Sequence, residues 1–295
     1  MVLTDTLIIY NPTSGRGDKR RWVDAAAERL SAGGRVETAA TQYRGHGREL
    51  AQAAVQQGIG RIVAVGGDGT VNEIAGVTAP AGTPLGILPM GSGNGLAREL
   101  GLPVHHMDRC IGIIADGNIR RVDYGTADGR PFFCTCGSGY DSEVAAGFAR
   151  SRLRGFGPYL QLCVESFFNL PQRPYTAEID GQTYRFETVE FNCANIKQFG
   201  FGAEIAPLSD LADGTLNLTV LPAMNLGRAL RFGAALFTKR LHRMPGVTTL
   251  PFREMTLRLP DDATFHLDGD ATEVPRELKI NCIPGGLRVF APKFA

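Results

Sequence analysis

The first part of the chain alternates short apolar runs with stretches in which apolar residues return every three or four positions. LIIY (7 to 10), RVETAA (35 to 40), RIVAV (61 to 65) and LGIL (85 to 88) read as strands, and residues 19–31, 47–57, 70–76, 94–100 and 106–115 read as helices. This alternation predicts βαβ units on a mostly parallel sheet, with ligands at the carboxyl ends of the strands. After about Tyr124 the period changes. Helical stretches near 140–150 and 157–169 precede β-type segments including YTAEI, TYRFETVEFNCANI, TLNLTVL, MTLRLP, TFHL and LKINC, some joined by turn chemistry such as Asp180-Gly181. The pattern predicts an α/β domain over 1–125 and a predominantly antiparallel β domain over 126–295, the last residues being free to return to the first domain.

Composition narrows the classes of function. Lys and Arg number 31 against 30 Asp and Glu, a net charge of +1, which argues against nucleic acid as a partner and requires any anion to be met locally. Cys110, Cys134, Cys136, Cys163, Cys193 and Cys282 contain no CxxC pair and stand at no zinc-finger spacing from a histidine. A reducing, cytoplasmic setting is expected. No window approaches the ~18 uninterrupted apolar residues of a membrane span, and MVLTDTLIIYNP lacks a basic signal-peptide start.

The chemistry concentrates in three glycine loops, each behind a predicted strand. VGGDGTVNEI (65 to 74) turns a buried strand into a helix, with Thr70 the expected N-cap. Glycines there let a ligand approach the backbone, and N–H groups at the helix start favour a phosphate. LGILPMGSGNGLAREL (85 to 100) repeats the arrangement, and YNPTSGRG (10 to 17) is a weaker third case. Three such loops on consecutive strand ends converge on one crevice. Neither GxxxxGK[ST] nor GxGxxG occurs, which disfavours P-loop enzymes and ordinary dinucleotide dehydrogenases.

GGDGTVNEI, together with NPTSG, TQYRGHG (41 to 47), LPMGSGNGLAREL, FGFGAEIAPLSDLADGTLNL (199 to 218) and FHLDGDATEV (265 to 274), resembles the diacylglycerol kinase catalytic family of bacterial lipid kinases. Sphingosine and ceramide kinases are relatives, within a superfamily shared with NAD kinases. The resemblance implies an NAD kinase/phosphofructokinase-like first domain, ATP as co-substrate and Mg²⁺ as cofactor. It assigns Asn11, Thr41, Gly66, Gly67, Asp68, Gly69, Thr70, Val71, Asn72, Glu73, Ser92, Gly93 and Asn94 to ATP. Gly95 stands where the family usually has an acid, and the GSGN spelling resembles the sphingosine-kinase side.

The family's DDGxL segment carries a metal outside the reaction centre. Asp213 matches the side-chain ligand, and Asp210 and Thr215 match the backbone ligands. The family's DGE base motif reads Asp268-Gly269-Asp270 here. Asp270 is therefore the implied general base, one methylene shorter than glutamate, with Glu273 nearby. Asp68 is assigned to Mg-ATP or to the base network.

The implied reaction is transfer of the γ-phosphate of ATP to a lipid hydroxyl, on a diacylglycerol or sphingoid-type acceptor. NAD kinase, and a nucleotide- or lipid-binding regulator of weak turnover, are the alternatives. A lipid acceptor implies peripheral contact with the inner face of the cell membrane, and a homodimer is compatible with this. NLGRALRFGAALFTKRLHRM (225 to 244) interleaves Arg228, Arg231, Lys239, Arg240 and Arg243 with Leu226, Leu230, Leu236, Phe237 and Leu241 and holds no acid. It reads as a helix packed on the β domain or as one lying on anionic headgroups. Phe148, Phe156, Tyr159, Phe167 and Phe168 fit either an acyl-chain pocket or core packing.

Overall fold

The computed structural model describes residues 4–15, 17–140, 142–143, 171–200, 203–223 and 225–293. Of the expected helix near 140–150 only residues 140, 142 and 143, which are helical, are among these, and the expected helix near 157–169 and the aromatic run from Phe148 to Phe168 lie outside them. The chain divides into two compact units, Met1–Asp123 with Pro284–Ala295, and Tyr124–Ile283.

The first unit is built on parallel strands β1 (Thr6–Tyr10), β2 (Val36–Ala40), β3 (Arg61–Gly66) and β4 (Leu85–Pro89), in the order β2-β1-β3-β4. β1, β3 and β4 are buried along their whole length, because helices cover a parallel sheet on both faces. Helix α1 (Lys19–Ser31) turns Val23, Ala26 and Leu30 inward and is started by Asp18, whose side chain accepts the N–H groups of Arg20 and Arg21. Helices α2 (His46–Gln56), α3 (Asp68–Ala81), α4 (Gly95–Glu99) and α5 (Met107–Asp116) complete the unit. Arg61, 8% exposed at the start of β3, donates Nε to Thr6 Oγ1 at 2.9 Å and lies over the Phe290 ring. Both contacts offset its burial, which lowers its pKa.

The second unit is antiparallel. One sheet pairs β15 (Glu254–Arg258) with β8 (Arg173–Ile179) and β8 with β9 (Gln182–Thr188). The other runs β14 (Thr248–Phe252), β13 (Leu216–Leu221), β10 (Glu190–Ala194), β7 (Thr135–Gly139), β16 (Phe265–Leu267), β17 (Asp270–Ala271). Tyr175, Ala177 and Leu257 from the first sheet share one core with Phe191, Cys193, Leu218 and Phe265 from the second, the interior of a sandwich.

Three two-residue Asp-Gly turns organise this unit. Asp128-Gly129 joins β5 (Ile119–Ala127) to β6 (Arg130–Phe132), Asp180-Gly181 joins β8 to β9, and Asp268-Gly269 joins β16 to β17. All six residues have positive φ, as a type I′ hairpin requires. Each aspartate also reaches beyond its own hairpin. Asp128 accepts the N–H of Lys279, Asp180 those of Arg253 and Glu254, and Asp268 those of Phe133, Cys134 and Thr135.

Candidate active site

In the first unit the strand ends deliver four loops to one region, and backbone bonds sew them together. The N–H of Asn11 bonds Val65 O, that of Thr41 bonds Tyr10 O, and that of Met90 bonds Gly66 O at 2.7 Å. Asn11 Nδ2 donates to Thr70 Oγ1 at 3.4 Å while its Oδ1 accepts from Thr13.

Helix α3 starts two residues earlier than its apolar pattern predicts. Gly67, with no side chain to offer, is the N-cap, and Thr70 is a buried residue of the first turn. The first-turn N–H groups have no partner inside the helix and carry its positive dipole end, so an anion is favoured there. A Cβ built on Gly69 meets no atom within 4 Å, leaving room over these amides. Gly91 is the opposite case. A Cβ there would stand 2.6 Å from Gly67 Cα and 2.8 Å from Asn94 Oδ1, so this glycine serves the packing of one loop on another.

The two acids of GGDGTVNE bind backbone on neighbouring loops. Asp68 Oδ2 accepts the N–H of Asn94 and its Oδ1 that of Gly95, both at 2.7 Å. Half-buried Asp68 thus holds the second glycine loop against the start of α3. Glu73 accepts the N–H groups of Gly45 at 2.8 Å and Gly47 at 3.1 Å. Each carboxylate caps a helix start, α4 or α2, that lacks a capping side chain of its own. For α2 the visible signal was Gly45 at the cap position, whereas before α4 Asn94 is a capping residue type whose amide is taken up by Gly91.

Asn94, 6% exposed with φ 54, closes its loop by bonding Gly91 through both ends of its amide. Ser92 is exposed on that loop. Asn11, Ser92, Gly93 and Asn94 thus lie on loops that meet the strand end and helix start formed by Gly66, Gly67, Asp68, Gly69 and Thr70, with Thr41 at the adjoining strand end, while Asn72 follows in the second turn of α3. Val71 does not join them, because its side chain is 5% exposed in the core and its N–H bonds Gly67 O.

The remaining expected residues belong to the second unit. Asp270 is exposed on the first residue of β17. Sequence reasoning missed the support beneath it, in which Asp268 draws three consecutive amides at 2.7–3.0 Å. His266, 2% exposed one strand-turn away, accepts the Gly269 N–H through Nδ1 at 3.3 Å. Burial lowers its pKa to about 4.

Asp213 folds its own turn, with Oδ1 accepting both N–H and O–H of Thr215 at 2.8 Å, and Asp210 accepts the Ala212 N–H. Both aspartates are exposed, and the second Asp213 oxygen with the Asp210 and Thr215 carbonyls that the resemblance assigns would give an all-oxygen donor set, the kind that suits a hard cation. Among the described residues no group of three His, Cys, Asp or Glu side chains is gathered to hold a metal ion. A metal at this turn would have to rest on carbonyls and water as much as on carboxylate.

Comparison with known proteins agrees with the two-part fold. Residues 5–127 match the family described as "Diacylglycerol kinase catalytic domain", and residues 134–291 match "YegS C-terminal NAD kinase beta sandwich-like domain". The chain is 31% identical over 230 residues to a diacylglycerol kinase of Bacillus subtilis (strain 168), covering 76% of each chain. It is 28% identical over 294 residues to a diacylglycerol kinase of Mycobacterium tuberculosis (strain CDC 1551 / Oshkosh), covering 97% of this chain and 94% of that one. Two solved structures from Bacillus anthracis str. Sterne share the fold over 99% of the chain, with TM-scores of 0.85 and 0.78 at 23% and 20% identity. The second of these is described as a diacylglycerol kinase.

The protein is thus a kinase, with a parallel α/β unit carrying the glycine loops and an antiparallel β unit beside it in sequence. It belongs to the diacylglycerol kinase catalytic family of lipid kinases.

Proposed function

We propose that the protein transfers the γ-phosphate of ATP to the hydroxyl of a membrane lipid, a diacylglycerol or a sphingoid-type acceptor. The observation that carries this reading is the open first turn of α3, where Gly69 leaves space above unpaired helix N–H groups while Asp68 and Asn94 hold the next loop beside it. Gly66, Gly67, Gly69 and Thr70 cradle the phosphates, and Asn11, Thr41, Asn72 and Ser92 border the nucleotide. Asp68 positions the two loops by its pair of amide bonds.

Asp270 acts as general base. It takes the proton of the lipid hydroxyl as the oxygen attacks the γ-phosphorus and ADP leaves, and Asp268 holds the hairpin that presents it. Mg²⁺ supplies neutralisation of phosphate charge, and the turn of Asp210, Asp213 and Thr215 offers oxygen ligands for a second, structural ion. Because the acceptor is a lipid, the protein works as a cytoplasmic enzyme at the inner membrane face. No helix among the described residues is long and apolar enough to cross a membrane.

The test is incubation of purified protein with γ-labelled ATP, Mg²⁺ and a panel of diacylglycerol, monoacylglycerol, sphingoid base, ceramide, phosphatidylglycerol and NAD. Label is expected in one lipid product. Label in NADP alone, or ATP binding with label nowhere, would overturn the reading.

A further inference from the structure

The segment after β13 carries apolar side chains on two opposite faces, and the fold uses only one of them. Helix α6 (Leu226–Phe237) is started by Asn225, whose side chain accepts the Arg228 N–H at 2.9 Å. Phe232 is 6% exposed and, with Ala235 and Leu236, packs into a cluster formed by Val189, Ile205, Leu221 and Leu241. That contact fixes which way the helix faces. At roughly 100° per residue, Leu230 and Phe237 lie about 20° apart around the helix and about 160° and 140° from Phe232. They are 69% and 63% exposed, the two most exposed large apolar side chains among the described residues.

Charge says what covers this second face. No acidic residue occurs between Asp213 and Glu254, whereas Arg228, Arg231, Lys239, Arg240 and Arg243 are all exposed. Lys239 is answered by Glu204 at 2.9 Å. Among the described residues the four arginines form no ion pair. In a chain with a net charge of only +1, this is a local concentration of positive charge around two protruding apolar groups. A second copy of the chain docked there by two-fold symmetry would set arginines against arginines, which is unfavourable. A bilayer rich in anionic lipid meets both features at once, apolar groups entering the acyl boundary and guanidinium groups meeting phosphates.

We propose that the outer face of α6, with Leu230 and Phe237 as apolar anchors and with Arg231 on the helix and Arg240 and Arg243 just beyond its end as headgroup contacts, docks the protein on an anionic lipid bilayer. This deepens the lipid-acceptor reading above by naming the surface that meets the membrane, and its physiological sense rests on that reading. Docking itself does not depend on phosphoryl transfer.

The experiment is co-sedimentation of the full chain with vesicles of phosphatidylcholine alone and of phosphatidylcholine mixed with phosphatidylglycerol, at low and high salt. Wild type, Leu230→Ser/Phe237→Ser and Arg231→Ser/Arg240→Ser are compared, with circular dichroism and light scattering as controls on folding and mass. The expected result is binding to the mixed vesicles that weakens at least about tenfold in high salt, on neutral vesicles and in either double variant. Activity on a water-dispersed short-chain acceptor should stay within about twofold while activity on vesicle-borne acceptor falls. Double variants that bind anionic vesicles as wild type does would overturn the proposal, as would a wild-type dimer that the Leu230/Phe237 change splits with vesicle binding intact. Failure of the kinase reading shows separately, as vesicle binding without transfer.

Discussion

Glu73, on helix α3, caps a helix it does not belong to: its carboxylate accepts the N–H of Gly45, the residue that precedes α2, at 2.8 Å, and that of Gly47 at 3.1 Å. Gly45 has φ 93 and offers no side chain of its own, so the cap for α2 is supplied from the nucleotide loop's helix. Replacing Glu73 by Ala leaves two amides without their acceptor. Loss of roughly 1.5–3 kcal/mol of stability is expected, read as a lowered midpoint in urea, with Glu73→Gln recovering part of it. An unchanged midpoint in Glu73→Ala would contradict the cap.

Asp68 makes the corresponding bond to the second loop, and Asp68→Asn tests it. Asparagine can accept one N–H through its oxygen but turns a second donor toward the other, so about 2–3 kcal/mol should be lost together with ATP affinity. Isothermal titration and thermal melting read the two effects. A variant that melts as wild type yet cannot turn over would place Asp68 on the Mg-nucleotide instead.

Gly91 and Gly69 separate packing from binding. Gly91→Ala pushes a Cβ to 2.6 Å from Gly67 Cα, so both stability and ATP affinity should fall. Gly69→Ala fits without conflict in the first turn of a helix and should melt no lower than wild type. Its methyl group covers the proposed phosphate position, and ATP should bind about tenfold more weakly. Equal ATP affinity in Gly69→Ala and wild type would move the phosphates elsewhere.

His266 gives the second unit a pH dependence. Burial lowers its folded pKa to about 4 from an ordinary 6.5, so between those values the unfolded chain binds the extra proton. Stability from this residue is therefore fully present above about pH 6.5 and is lost as pH falls toward 4, by an amount on the order of 3 kcal/mol. Urea unfolding of wild type and His266→Gln from pH 4.5 to 7 measures it. The difference between their slopes should appear in that window, and parallel curves would refute the assignment.

Much of the fold was legible because burial writes itself into apolar spacing. LIIY and the helix at 19–31 emerged where expected, since a fully buried strand and a helix with Val23, Ala26 and Leu30 inward leave unmistakable periods. Helix α3 was longer at both ends than its pattern, because its start is set by a glycine N-cap and by the loops around it, and its end tolerates Pro80 in the final turn. TYRFETVEFNCANI read as one β-type run, yet it spans β9 and β10, which belong to different sheets. The break falls where Thr188 Oγ1 bonds Glu190 O and Leu221 O, a tertiary arrangement that no local period records.

The site was legible as motifs and opaque as wiring. Glycines and acids identified the loops, but only the folded chain reveals that Asp68 and Glu73 are helix caps in trans and that Asp268 anchors the hairpin of Asp270. These bonds join positions far apart in sequence, and a carboxylate that binds backbone looks in sequence like one that binds a ligand.

The central claim, lipid phosphorylation with Asp270 as base, is tested most directly by Asp270→Asn in the γ-labelled ATP assay with the preferred lipid. Asp270 is exposed and its hairpin is held by Asp268, so the variant should fold and bind ATP as wild type does while label in the lipid product falls by about 10²–10⁴-fold. Label entering lipid at the wild-type rate in Asp270→Asn would contradict it.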